Sequence, residues 1–168
     1  MIIPGATLTM GYNLPAILGI WAANEKANII CITGDGSFQL NIHELATIVY
    51  HKIPAKIFVI NNHGYLAIRT TQKNFFNGRL MGEGPKTGVF IPEIEKIAKA
   101  YDLAFYRLNR ASDLNKKIPQ ILNQKKAVIC EIVCPQWQDI LGVSSKRTDE
   151  GKLISLPMDE MFPFLPDE

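Results

Sequence analysis

An α/β fold, a parallel β-sheet with helices on both faces, is predicted by three features of the 168-residue sequence. Short apolar runs recur at Asn28–Thr33 (NIICIT), Lys56–Ile60 (KIFVI), Ala104–Leu108 and Ala127–Val133 (AVICEIV). Segments with helical apolar spacing alternate with them, and Gly- or Asn-rich turns join the two kinds. Strands this apolar leave no face for water, so helices must cover both sides, as crossover connections in parallel sheets do.

The elements follow in order. Gly11-Tyr12-Asn13 is a turn, and a helix runs from it to about Asn24, with Pro15 tolerated in the first turn. Asn28–Thr33 is the first buried strand, and Gly34-Asp35-Gly36-Ser37 is a tight turn after it. Phe38–Tyr50 carries Leu40, Ile42, Leu45, Ile48 and Val49 at helical spacing. Pro54 breaks the chain before the second strand, which Asn61-Asn62-His63-Gly64 leaves. A helix over about Tyr65–Thr71 and a Gly-rich surface loop over 77–91 come next. Pro92 opens a helix to about Tyr101. The third strand, a helix over Leu114–Gln124 in which Pro119 is placed to introduce a kink, and the fourth strand complete the pattern. Residues 135–168 read as an extended tail with one Asp-Glu-Gly turn at 149–151. The expected division is thus an α/β domain over 1–134 and a tail over 135–168 that packs on the domain or on a missing partner.

Composition narrows the function classes. With 47% apolar and 20% charged residues the chain has the makeup of an ordinary globular protein. A net charge of +2 argues for neither nucleic acid nor a membrane surface. The three cysteines, Cys31, Cys130 and Cys134, lie in apolar runs and read as buried thiols rather than as a disulfide or zinc framework. Leu14–Ala23 is too short to span a bilayer, and no Lys or Arg precedes it as in a signal peptide. A cytoplasmic location is expected.

Both unusual turns leave the carboxyl ends of strands, where ligands bind in open α/β sheets. Gly34 and Gly36 let the backbone bend sharply and approach a ligand around Asp35. Ser37 and the backbone N–H groups opening the next helix suit an anion. Asp35 would repel a bare phosphate, and a divalent cation between them removes the conflict. Mg²⁺ takes oxygen ligands in octahedral geometry, commonly one or two carboxylates plus phosphate oxygens. The Asn62 amide oxygen is a suitable second ligand and the Gly64 carbonyl a third, with diphosphate oxygens and water completing the shell.

A Gly-Asp-Gly turn, a helix, a strand and then a double Asn resemble the thiamine diphosphate signature, here Gly34-Asp35-Gly36-Ser37 and Asn61-Asn62-His63-Gly64. The upstream segment Thr9-Met10-Gly11-Tyr12-Asn13-Leu14-Pro15-Ala16 and the tail from Pro157 to Leu165 are similar to acetolactate-synthase-type chains. The resemblance implies the cofactor-binding domain of a thiamine diphosphate enzyme acting on 2-oxo acids by decarboxylation or carboligation. It implies Mg²⁺ on Asp35, Asn62 and Gly64, and the diphosphate on Gly34, Gly36 and Ser37. Met10 would brace the bent cofactor, and the backbones of Leu8 and Met10 would meet its aminopyrimidine.

The activating Glu of the family lies in a separate pyrimidine-binding domain, and Glu44 is not assigned to that role, so no catalytic residue is named here. The chain is expected to be a piece of a larger enzyme, assembled as a homodimer or larger, and nearly inactive alone. A β-type subunit of a split 2-oxo acid decarboxylase and a non-catalytic cofactor-binding remnant are the alternatives. A dinucleotide-binding domain is disfavoured, because the first turn lacks G-x-G-x-x-G.

Taken singly, these residues have plainer readings. A lone GDGS is usually just a turn, an Asn pair tolerates left-handed backbone, and a Met fills cores. His63 faces either substrate or solvent. His43 and His51 read as surface or packing residues, and the pairs Lys116-Lys117 and Lys125-Lys126 as a solvated face. The resemblance implies that Arg69, Gln72 and Phe75 lie near a substrate entrance. Phe162, Phe164 and Leu165 cover the site or pack on a missing domain.

Overall fold

The computed structural model describes residues 2, 9–138 and 145–155. Leu8 and the tail residues from Pro157 to Leu165 lie outside them. The chain forms two compact units, 1–136 and 137–168.

In the first unit, β1 (Ile30–Gly34), β2 (Lys56–Asn61), β3 (Ala104–Leu108) and β4 (Val128–Val133) form one parallel sheet in the order β1-β2-β4-β3. The chain moves one way from β1 to β3 and then steps back to β4. Right-handed crossovers therefore place the helix before β4 on the opposite face from those before β2 and β3.

The packing follows this rule, because successive strand residues face opposite sides. Ile57, Val59 and Ile129 point to the face covered by α1 (Asn13–Ala23), α2 (Asp35–Leu40), α3 (Glu44–Tyr50) and α5 (Ile94–Ala100). These helices contribute Leu14, Ile17, Phe38, Leu45, Ile48, Ile94, Ile97 and Ala98. Phe58, Val128 and Cys130 point the other way, toward Leu108 of β3 and Ile121 of α6 (Leu114–Leu122). Helices thus cover both faces, as the apolar strands require. β1 is the partial exception. It lies at the sheet edge, and Ile30 and Ile32 are exposed on one side of it.

Three boundaries differ from the sequence reading. The Phe38–Tyr50 helix is divided into α2 and α3, because Asn41 leaves helical backbone and donates from Nδ2 to the Gly11 carbonyl at 2.9 Å. Pro92 does not open α5, which starts at Ile94 after an extended Glu93. The tail is not merely extended: β5 (Ser145–Arg147) and β6 (Leu153–Ser155) pair as an antiparallel hairpin. Its turn is closed by the Thr148 N–H to the Lys152 carbonyl and the Gly151 N–H to the Thr148 carbonyl, both 2.8 Å, with Gly151 at φ +79°. Two features agree. Pro119 lies inside α6, and α4 (Leu66–Phe75) occupies and extends the expected segment.

The thiols are free. Burial pushes the Cys31 thiol up to about 12 and the Cys130 thiol up to about 11, and raises half-buried Cys134 as well. Because the thiolate is the reactive form, an aromatic disulfide reagent at about pH 8 should modify at most Cys134 in the folded chain within minutes. All three should react after denaturation. Rapid modification of two thiols in the native chain would contradict this packing.

Candidate functional site

The parallel register sets Gly34 beside Ile60, so the turns that follow β1 and β2 leave the same sheet edge. Asp35 is 2% exposed, and its two carboxylate oxygens join these turns. Oδ1 accepts the Gly36 N–H at 2.8 Å and Oδ2 accepts the Gly64 N–H at 2.9 Å. Burial nevertheless outweighs these bonds and raises the Asp35 pKa above its ordinary value. A buried carboxylate under such a penalty favours a positive partner.

The two asparagines have separate tasks. Asn61 is structural. Its Nδ2 donates to Glu131 Oε1 at 2.6 Å, and its Oδ1 accepts the His63 N–H at 3.0 Å, which shapes the turn. Glu131 is itself paired with Arg107 at 2.6 Å. Asn62 differs, because its Oδ1 is buried and has no hydrogen-bond partner among the described residues. Such an atom costs about 1–3 kcal/mol unless something satisfies it. A buried, orphaned amide oxygen in the turn whose Gly64 N–H meets a buried carboxylate offers oxygen donors of the kind a hard cation takes, and the residues fit Mg²⁺. No cluster of three His, Cys, Asp or Glu side chains suited to a metal occurs among the described residues.

The second turn depends on backbone that only certain residues adopt. His63 is left-handed at φ +59° and Gly64 lies at φ +129°. A Cβ on Gly64 would stand 2.1 Å from the Glu83 carbonyl oxygen. One on Gly36 would stand 2.2 Å from the Tyr65 ring, so Gly36 lets Tyr65 pack against the first turn.

The upstream segment is fastened to the same place. Ser37 Oγ accepts the Gly11 N–H at 2.8 Å and donates to Asn13 Oδ1 at 3.4 Å, while Asn13 Nδ2 donates to the Ile32 carbonyl at 3.0 Å. The GDGS segment is the end of β1 and the first turn of α2 rather than a free turn. Gly34, Asp35, Gly36, Ser37, Asn62 and Gly64 therefore gather at one edge. Met10, 44% exposed, adjoins them through Gly11.

His63 lies exposed in the second turn, between Asn62 and Gly64. His43 is exposed, and the His51 ring packs near Trp21, tilted by 41° with centroids 5.2 Å apart. Gln72 is spent on the Met81 backbone through two 2.9 Å bonds. Arg69 does not line an entrance: it is 0% exposed and paired with Glu83. Glu83 and Glu131 were not singled out by sequence reasoning. For Glu131 a signal existed, a lone charge in the middle of AVICEIV.

The family described as thiamine pyrophosphate enzyme, C-terminal TPP binding domain, matches residues 1–132. The chain is 36% identical over 148 residues to an acetolactate synthase large subunit of Cyanidium caldarium, covering 88% of this chain and 25% of that protein. An acetolactate synthase of Arthrospira platensis is 30% identical over 152 residues, covering 90% of this chain and 26% of the relative. The large subunit from Haemophilus influenzae is 30% identical over 158 residues, 93% of this chain and 27% of its own length. The chain thus spans about a quarter of the length of these relatives.

Proposed function

Since the chain belongs to the thiamine pyrophosphate enzymes through their C-terminal TPP-binding domain, we propose that it holds the cofactor's diphosphate through Mg²⁺ in an acetolactate-synthase-like enzyme acting on 2-oxo acids. The observation that carries the metal assignment is the buried, unpartnered Asn62 Oδ1 beside the turn that Asp35 braces. Asp35 and Asn62 Oδ1 supply two ligands, and the Gly64 carbonyl is the third. Backbone groups at Gly34, Gly36 and Ser37 meet the diphosphate. Bound there, thiamine diphosphate supplies the nucleophilic carbon and the electron sink for breaking or forming the bond beside a 2-oxo acid carbonyl.

The chain's own contribution is positioning. Asp35 neutralises and orients the metal. The Ser37 hydroxyl holds the Gly11 N–H, which keeps Met10 next to the diphosphate turn, where its side chain would brace the cofactor. Gly36 keeps the backbone close enough for Tyr65 to cover the turn. The family's activating Glu belongs to a pyrimidine-binding domain, so the isolated chain should turn over no 2-oxo acid. Adding that domain should restore turnover, in a homodimer or larger assembly.

Thermal unfolding tests the binding. A ligand present at 100 times its Kd stabilises the native state by about 2.7 kcal/mol. For a chain of this size that raises Tm by about 5–10 °C. The rise should require Mg²⁺ and thiamine diphosphate together. An equal rise with thiamine diphosphate in EDTA would contradict the metal assignment.

A further inference from the structure

Arg69 is a fully buried cation whose partners surround the proposed metal turn. Its Nε donates to the Glu83 carboxylate. Nη1 reaches the Asn62 carbonyl at 3.5 Å and the Gln136 carbonyl, and Nη2 reaches the His63 carbonyl at 3.1 Å and the Glu83 carbonyl at 3.5 Å. Glu83 is held in turn, since its N–H donates to Thr87 Oγ1 at 3.0 Å and its Oε1 accepts from that hydroxyl at 3.3 Å. The Glu83 carbonyl also accepts the Tyr65 N–H at 2.8 Å. One planar guanidinium therefore ties the carbonyls of two successive residues, Asn62 and His63, to the loop that packs on Gly64. A point-charge ammonium has no rigid fork with which to span those acceptors.

We propose that Arg69 is a positioning residue for the metal. It fixes the left-handed His63 backbone and so aims the Asn62 carboxamide and the Gly64 peptide, while Glu83 keeps the buried pair neutral beside the cation. This rests on the reading that Asp35 and Asn62 hold Mg²⁺. It has a consequence that mere structural support does not. Mg²⁺ demands near-ideal octahedral geometry at about 2.0–2.1 Å, whereas Ca²⁺ accepts six to eight oxygens at about 2.3–2.6 Å in flexible arrangements. Loosening the carboxamide should therefore harm Mg²⁺ binding far more than Ca²⁺ binding.

The test is calorimetric titration of the full chain with Mg²⁺ and, separately, Ca²⁺, at one fixed concentration of thiamine diphosphate. Arg69→Lys should weaken Mg²⁺ by roughly tenfold to a hundredfold, the usual loss when a partner supporting a metal ligand is removed. Ca²⁺ should weaken by about threefold or less, because its shell adapts. Equal loss for both cations, or an unchanged Mg²⁺ affinity, overturns the positioning role. If Arg69→Lys does not fold, Glu83→Gln carries the test. It keeps the shape but loosens the hold on the guanidinium, so Mg²⁺ should again weaken several-fold more than Ca²⁺, and equal loss for both cations or unchanged binding overturns the proposal. An unaltered chain that binds neither cation overturns the metal reading and this inference with it.

Discussion

Replacing Asp35 with alanine is expected to lower the Mg²⁺-dependent affinity for thiamine diphosphate by more than about a hundredfold, since disturbing the support of a ligand already costs ten- to a hundredfold. Asp35 is the one carboxylate in the proposed ligand set, and it stands 2% exposed between the two turns. Its removal takes away the one anionic ligand proposed for the cation, as well as the acceptor of the Gly36 and Gly64 N–H groups. Each orphaned N–H costs about 1–3 kcal/mol. Part of that loss is offset, because burial already penalises the ionised Asp35. Stability in EDTA should therefore fall as well, but by less than the two orphaned N–H groups alone would cost. Asn62→Ala should separate the two effects more cleanly. Its Oδ1 has no partner to lose, so the metal-free chain should keep its Tm while Mg²⁺ binding falls. Titration with Mg²⁺ and melting in EDTA read both quantities, and an Asn62→Ala chain with undiminished Mg²⁺ affinity would sink the ligand assignment.

Gly64→Ala should be the most damaging single methyl addition in the turn. The backbone at φ +129° is a region that L-residues rarely adopt, at a cost of about 1–3 kcal/mol. The added carbon would also stand 2.1 Å from the Glu83 carbonyl oxygen and 3.0 Å from Gly84 Cα, both backbone atoms. Either the loop or the turn must move, and movement breaks the Tyr65 N–H bond to Glu83 and the Gly64 N–H bond to Asp35. The combined loss should reach at least about 3 kcal/mol, which for this chain length lowers Tm by about 6–12 °C. Gly78→Ala provides the control, because Gly78 also has positive φ, at +70°, but nothing lies within 4 Å of an added Cβ. It should cost about 1 kcal/mol, the penalty of left-handed backbone alone. Equal melting temperatures for the two variants would show that the close approach at Gly64 has no energetic weight.

The sequence was most informative where burial and chemistry agree. Ala104–Leu108 is read as a strand and is β3, because an apolar run between a helix and a polar turn has few other uses. The GDGS and NNHG segments meet at one sheet edge because parallel strands put all carboxyl ends together. Local pattern was less informative where a distant partner decides. Nothing near Asn41 in sequence announces that its side chain will bond Gly11 and end α2 early. The family resemblance points to an entrance at Arg69, but Glu83 and the surrounding carbonyls make its burial tolerable, and neither partner is legible from the local sequence. The hairpin strands Ser145–Arg147 and Leu153–Ser155 are too short to show an alternating pattern. The structural role of Asn61 was likewise hidden, since it depends on Glu131, far along the chain.

The central claim, that this chain holds thiamine diphosphate through a metal bound by Asp35 and Asn62, is tested most directly by calorimetric titration of the pure chain with thiamine diphosphate, with and without Mg²⁺. Heat of binding should appear with Mg²⁺, vanish in EDTA and vanish in Asp35→Ala. Binding that is indifferent to Mg²⁺, or that survives in Asp35→Ala, would contradict the account.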